Sequence, residues 1–284
     1  MRANRYARPL GKPTCPMPNK ARCWSASYWT STADAGLTCA PMPARTPKCE
    51  AHSRPRCSLT ATLDDSHGSA LSHKKRHEEA LRLLRRSLDA RIELWGPDHP
   101  SVADSYTNLG VAYLAQGKYA QAYSYQQQAL ALYRKHFGQD SWRVGDALYN
   151  LGEVATHEEH YPEAARYYQQ SQQIYEPLVG RGHIDVEQNV VVLAEALVEM
   201  KAYARALPLL RRALAAQVIA DDAMLTARAS FSLAKLLWEE NLDRAHALGL
   251  AQQAQDLYDP NDDRYDGDWT GEVAAWLAAH KTRR

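Results

Sequence analysis

Leucine recurs at Leu109, Leu151 and Leu193, a constant spacing of 42 residues, and the same register carries other positions with it. Tyr119, Tyr161 and Tyr203 keep step, as do Ala122, Ala164 and Ala206, then Gly96, Gly138 and Gly180, then Val102, Val144 and Val186. A fixed period of this length constrains the fold more than composition can. Each unit is too small to bury its apolar face alone, so it must stack on its neighbours, and the product is a solenoid. Such a chain offers a surface that binds and points to no reaction.

Within one unit the pattern is helical. Tyr106, Leu109, Gly110 and Tyr113 recur at helix spacing, a polar turn follows at Gln116-Gly117-Lys118, and a second helical pattern runs through Tyr119, Ala122, Ala129 and Leu130. Two amphipathic helices joined by so short a turn pack antiparallel. Gly110 and Ala122 are expected to permit the close approach of the pair, with Tyr106, Leu109 and Tyr113 filling the space around them.

These residues resemble the tetratricopeptide repeat, whose order of a large residue, Leu-Gly, Tyr, Ala and Ala reads here as Tyr106, Leu109-Gly110, Tyr113, Ala122 and Ala129. The next unit reads Leu148, Leu151-Gly152, Ala155, Ala164, Tyr168 and Ser171, and the third Val190, Leu193-Ala194, Leu197, Ala206, Leu210 and Ala213. The usual period is about 34, and the surplus is enough to lengthen the second helix and its following loop. The link Gly96-Pro97-Asp98-His99-Pro100 and the Asn-Leu-Gly of the first helix are similar to kinesin light chain repeats. The resemblance implies an all-α helical-hairpin solenoid, a right-handed superhelix, from about Ser69 to His280.

The flanking units are weaker copies. One period back lie Gly68, Leu71, Ala80, Leu84 and Ser87, so Glu78 to Leu94 predicts a second helix. The helix before it, around Leu63 to Ser72, is poorly patterned because Asp64 and His67 fall where core residues belong. One period forward, Phe231, Leu233-Ala234 and Leu237 predict a first helix. Ala247, Ala251 and Ala254 predict its partner after a shift of one residue, and Trp269, Val273, Trp276 and Leu277 a capping helix. The chain thus divides into residues 1–60, a degenerate repeat over 61–100, three full units over 101–220, and a degenerate repeat with its cap over 221–284. This last part also resembles the end of the repeat regions that trail some bacterial serine/threonine protein kinases, on Leu233 to Leu237, Arg244-Ala245-His246-Ala247-Leu248 and Glu272 to His280. That implies an alternative, a C-terminal regulatory fragment of such a kinase. The chain itself has no G-x-G-x-x-G, His-Arg-Asp or Asp-Phe-Gly motif, so no catalytic residue is carried over.

Residues 1–60 read differently. Ten Lys/Arg against Asp34 and Glu50 give this segment +8, and with the whole chain at +1 the remainder carries −7. All five cysteines, Cys15, Cys23, Cys39, Cys49 and Cys57, lie here, with no C-x-x-C pair to suggest zinc and an odd count that argues against a disulfide framework. Without an apolar period the segment predicts a disordered basic tail, or an upstream stretch read out of frame. Binding of nucleic acid through its arginines is the least favoured reading. Met1 to Leu10 lacks the apolar core of a secretory signal, and no run approaches the roughly 18 apolar residues of a membrane span. The expected location is the cytoplasm.

Several clusters carry no chemistry. His157-Glu158-Glu159-His160 spaces its histidines by three, where a zinc-binding H-E-x-x-H needs four, and it falls in a turn. His73 to His77 and Gly180-Arg181-Gly182-His183 fall between helices, and Asp259 to Asp263 lacks the closing glutamate of a calcium loop. No metal, cofactor or catalytic residue is expected. The resemblance implies instead that the first helices of successive repeats line a groove for an extended peptide. Asn108 and Asn150 fall where family members hold a ligand's backbone, and Val192 replaces them in the third unit. Asp104, Asp146, Glu153, Glu195 and Glu199 neighbour them, so the expected partner is a protein or peptide, basic or neutral. The chain reads as a non-catalytic protein-interaction scaffold.

Overall fold

The computed structural model of the protein describes residues 54–73, 76–216, 219, 221–257 and 269–281, so expectations about residues 1–53 and about Asp259 to Asp263 lie outside the described residues. The described residues form eleven helices and no strand. Five hairpins follow one another: α1 (Arg54–His73) with α2 (His77–Trp95), α3 (Pro100–Leu114) with α4 (Tyr119–Phe137), α5 (Trp142–His157) with α6 (Tyr161–Val179), α7 (Ile184–Glu199) with α8 (Tyr203–Ala215), and α9 (Ala223–Glu239) with α10 (Arg244–Leu257). A single helix, α11 (Trp269–Lys281), packs on α10. Each of the second helices α2, α4, α6 and α8 also touches the first helix of the next hairpin, as in an all-α helical-hairpin solenoid.

The period follows from helix length. First helices α3 and α5 hold 15 and 16 residues, while second helices α4 and α6 hold 19 each, so the surplus over a shorter repeat sits in the second helix. The second helix α8 has only 13 residues, and this shortening is why Leu233-Ala234 follows Leu193-Ala194 at 40 residues and not 42.

One contact recurs through the stack. A Cβ on Gly68 would lie 2.7 Å from Cγ of Leu84, one on Gly110 2.5 Å from Nε2 of Gln126, and one on Gly152 2.5 Å from Cε1 of Tyr168. In each hairpin the partner sits sixteen residues on, and Ala194 with Leu210 holds the same register. The small residue on the first helix therefore makes room for a large side chain on the second, here Gln126 and not Ala122 as the sequence suggests. Ala122, Ala164 and Ala206 are fully buried on the second helices. A second recurrence is polar. Ser87 and Ser171 donate their hydroxyls to the carbonyls of Ala61 and Gly145, at 2.9 Å each.

Turns within hairpins share one geometry. Gly117, Glu159 and Lys201, equivalent in register, have φ of 69°, 59° and 57°. The next residue's amide reaches five residues back, Lys118 to the Tyr113 carbonyl at 3.0 Å and both His160 to Ala155 and Ala202 to Leu197 at 2.8 Å. This is a Schellman-type helix end, which glycine adopts without steric cost and other residues adopt with strain.

The ends differ from the sequence expectation in one respect. α1 is a 20-residue helix beginning at Arg54, so the hairpin stack reaches back past Ser69 and past the change in composition at residue 60. Asp64 is indeed at a buried position, and it is tolerated because Arg86 of α2 clasps it, with Nε at 2.6 Å. At the other end α11 buries Val273 and Leu277, and Trp276 meets Trp238 and Phe231 edge-on at 5.7 and 5.9 Å.

Candidate functional site

The first helices lie side by side along one face. α1 touches α3, α3 touches α5 and α7 touches α9, while a hydrogen bond from Gln188 to the Tyr149 hydroxyl, 3.0 Å, bridges α7 and α5. All seven residues predicted to bind a ligand sit on these helices: Asp104 and Asn108 on α3, Asp146, Asn150 and Glu153 on α5, Glu195 and Glu199 on α7. The structure commits most of them to other side chains.

Asn108 is buried and donates its amide to Oδ2 of Asp65 at 2.7 Å, the same oxygen that Arg91 reaches at 3.0 Å. Burial pushes the Asp65 carboxyl up against the pull of Arg91 and of the Asn108 amide. Asn108 thus joins α3 to α1 and does not reach out from the face. Asn150, its equivalent one repeat on, is half-buried and has no hydrogen-bond or ion-pair partner among the described residues.

Asp104 and Asp146 are also equivalent, and each receives a tyrosine hydroxyl from the end of its own second helix. Tyr133 donates to Asp104 at 2.8 Å, and Tyr175 donates to Asp146. Burial pushes the Asp146 carboxyl up to about 7, Asp185 adding to the rise while Tyr175 and Arg143 oppose it. Burial likewise raises Glu153, against the pull of Arg228, His157 and Tyr149, with Glu195 adding to the rise.

Toward the C-terminus the acids are neutralised. Arg228 of α9 grips Glu195 with both arms of its guanidinium, Nε at 2.9 Å, and Lys235 binds Glu199 at 2.6 Å and Glu272 of α11 at 3.4 Å. Burial pulls the Lys235 amine down, but these carboxylates outweigh it and leave the amine raised. The face is therefore less acidic than its sequence suggests: Glu195 and Glu199 are ion-paired, while Asp104, Asp146 and Glu153 make no direct ion pair among the described residues. The repeat pattern, which is rich in acids on this face, does not announce Arg228 and Lys235. Their signal was available, since they stand seven residues apart, two turns on one face, in an otherwise apolar helix.

Among the described residues no group of three or more His, Cys, Asp or Glu side chains is placed to hold a metal. His157 and His160 end α5 and precede α6, on either side of the hairpin turn. Among the described residues no helix is long and apolar enough to cross a membrane.

Stacked helical hairpins that present their first helices along one face define a helical repeat protein. The chain belongs to the tetratricopeptide repeat family, which it matches over residues 59–135 and 143–217. Its 42-residue units are similar to kinesin light chain repeats. It is 34% identical over 79 residues to the protein kinesin light chain-related 3 of Arabidopsis thaliana, a match covering 28% of this chain and 12% of that protein. Among solved structures it is similar to the kinesin light chain nearly identical TPR-like repeats of Podosopora anserina, in a point variant. There the TM-score is 0.60 with 19% identity over 71% of this chain and 95% of that one. BtubC (BKLC) from P. vanneervenii gives a TM-score of 0.52 with 16% identity, covering 76% and 97%. The Rap protein complexed with competence and sporulation factor gives 0.53 with 14% identity, covering 81% and 65%.

Proposed function

We propose that the chain is a non-catalytic interaction scaffold that holds a peptide or an extended segment of a partner protein on the face of its first helices. The observation that carries this reading is Asn150, whose amide has no partner among the described residues, while most of the other polar residues predicted to bind on that face are bonded to side chains outside their own set. An amide presents both a donor and an acceptor, which matches an extended backbone. Glu153, one turn further along α5, adds a carboxylate in reach of a cationic side chain, so the partner is basic or neutral. Family membership and the likeness to the Rap protein, solved with a bound factor, support the same reading. The proposed location is the cytoplasm.

The test selects peptides on the full chain from a random displayed library and titrates those recovered against Asn150→Ala and Glu153→Gln. Asn150→Ala should weaken binding at every salt concentration, and Glu153→Gln should weaken it mainly at low salt. Peptides whose affinity neither substitution alters would place binding elsewhere. A second reading, a regulatory segment of a bacterial serine/threonine kinase, is favoured by the resemblance of α9 to α11 to such regions. A continuous upstream reading frame encoding the three kinase motifs decides it.

A further inference from the structure

Outside the face just described, the solenoid has an edge where each second helix ends and the next first helix begins. Trp95, Phe137 and Val179 occupy one register position there, closing α2, α4 and α6, and they are 41%, 41% and 43% exposed. Trp142, at the start of α5, is 42% exposed, and Leu178 is more exposed still. A large apolar residue left half in water at the same place in three successive repeats is not a stray surface residue.

The middle of this edge also carries a cation. The guanidinium of Arg143 lies 4.3 Å from the ring centroid of Trp142 and 4.6 Å from that of Phe137. Two other cations of the edge are neutralised, Lys135 by Asp98 at 2.9 Å and Arg181 by Glu176. Arg143 forms no ion pair or hydrogen bond among the described residues. Asp146, three residues on, only senses its charge and takes its hydrogen bond from Tyr175. Asp140, in the adjoining loop, is exposed. A guanidinium fixed by two rings is pre-organised and still keeps its fork of donors for a carboxylate. Trp, Phe and Arg are also residues enriched where partners dock.

We infer that this edge is a second docking surface, centred on Phe137, Trp142 and Arg143, for a segment of a partner protein that carries a carboxylate beside apolar side chains. The carboxylate meets the free fork of Arg143, and the apolar side chains cover the half-exposed rings and Val179. The charge preference is opposite to that proposed for the first-helix face, so the two surfaces take different segments.

The experiment selects random displayed peptides on the full chain and compares their binding with that of Trp142→Ala/Arg143→Ala, of Arg143→Lys and of Asn150→Ala. The expected population has Asp or Glu next to apolar residues. It loses about ten-fold or more in affinity on the double variant, the scale of a docking hot spot. It weakens on Arg143→Lys, which keeps the charge without the planar fork, and it is unchanged on Asn150→Ala. If no population responds to the double variant, or if the responding peptides are basic, the inference is overturned. A concentration-dependent dimer in sedimentation velocity that the double variant abolishes would assign the edge to a second copy of the chain, which also overturns it. A loss confined to Asn150→Ala would leave the first-helix face standing and remove the edge.

Discussion

Tyr168 lies so close over Gly152 that a Cβ on the glycine would sit 2.5 Å from Cε1 of the ring. The ring is almost wholly buried, tilted against Tyr149 at 5.6 Å, and its hydroxyl meets that of Thr156 at 3.1 Å, so it has little room to move. Glycine here is required by the approach of two helices and not by backbone conformation.

Gly152→Ala should therefore destabilise the array by about 1–3 kcal/mol, the usual cost of overpacking a filled interior. Tyr168→Leu in the same chain should recover most of that loss, because Leu210 faces Ala194 at the same register. Urea unfolding of both single variants and the double variant measures the coupling. If the two losses simply add, the contact is not what demands the glycine.

The register made much of this legible. Leu109, Leu151 and Leu193, and the alanines of the second helices, announce which residues are buried, because a repeat writes its core out several times. What the sequence concealed was which polar residue meets which. Asn108 looks equivalent to Asn150, yet only Asn108 has an aspartate of the preceding hairpin against it, and that aspartate lies in α1, where the repeat pattern is faint. Asp64 looks out of place in its helix because its compensating partner, Arg86, lies in another helix, and the sequence is equally silent on the pairing of Asp65 with Arg91. Pairings that involve a degenerate unit are not repeated along the chain, so a period cannot reveal them.

Asn108→Ala should lower stability and not only any ligand affinity. It strips one of two donors from Oδ2 of Asp65, a buried carboxylate whose Oδ1 already has no partner among the described residues. The expected cost is about 1–3 kcal/mol. Asn150→Ala, which removes no such bond, should change stability by no more than about 0.5 kcal/mol. Equal effects of the two substitutions on the urea midpoint would contradict the assigned roles.

Stability should fall as pH rises through neutrality. Asp146 has an ordinary value of 3.8 and is raised to about 7 in the folded chain, so the folded state holds its proton more tightly than the unfolded one. The resulting stabilisation is complete below about pH 4 and is lost as pH rises toward and past 7. Asp146→Asn cannot ionise and still accepts from the Tyr175 hydroxyl, so it should be more stable than the wild type at about pH 8 and similar to it near pH 4. The slope between should flatten. Some slope will remain, since Glu153 is shifted in the same direction. Chemical denaturation at several pH values reads the difference, and parallel curves for the two proteins would remove Asp146 from the account.

The turns within hairpins offer a test that touches neither surface. Gly117 adopts its φ of 69° freely, whereas Glu159 and Lys201 hold φ of 59° and 57° at the equivalent place with side chains attached. A non-glycine residue in this region stores about 1–3 kcal/mol of strain. Replacing it by glycine relieves that strain but adds disorder to the unfolded chain, an opposing effect of roughly 0.5–1 kcal/mol. The strain is the larger quantity, so Glu159→Gly and Lys201→Gly should each raise the melting temperature. Because Glu159 and Lys201 are exposed and lie a full repeat apart, the double variant should show close to the sum of the two gains. Gly117→Glu should do the reverse and lower the melting temperature. If all three substitutions leave it unchanged, the chain leaves these helices by a different path than the left-handed turn described.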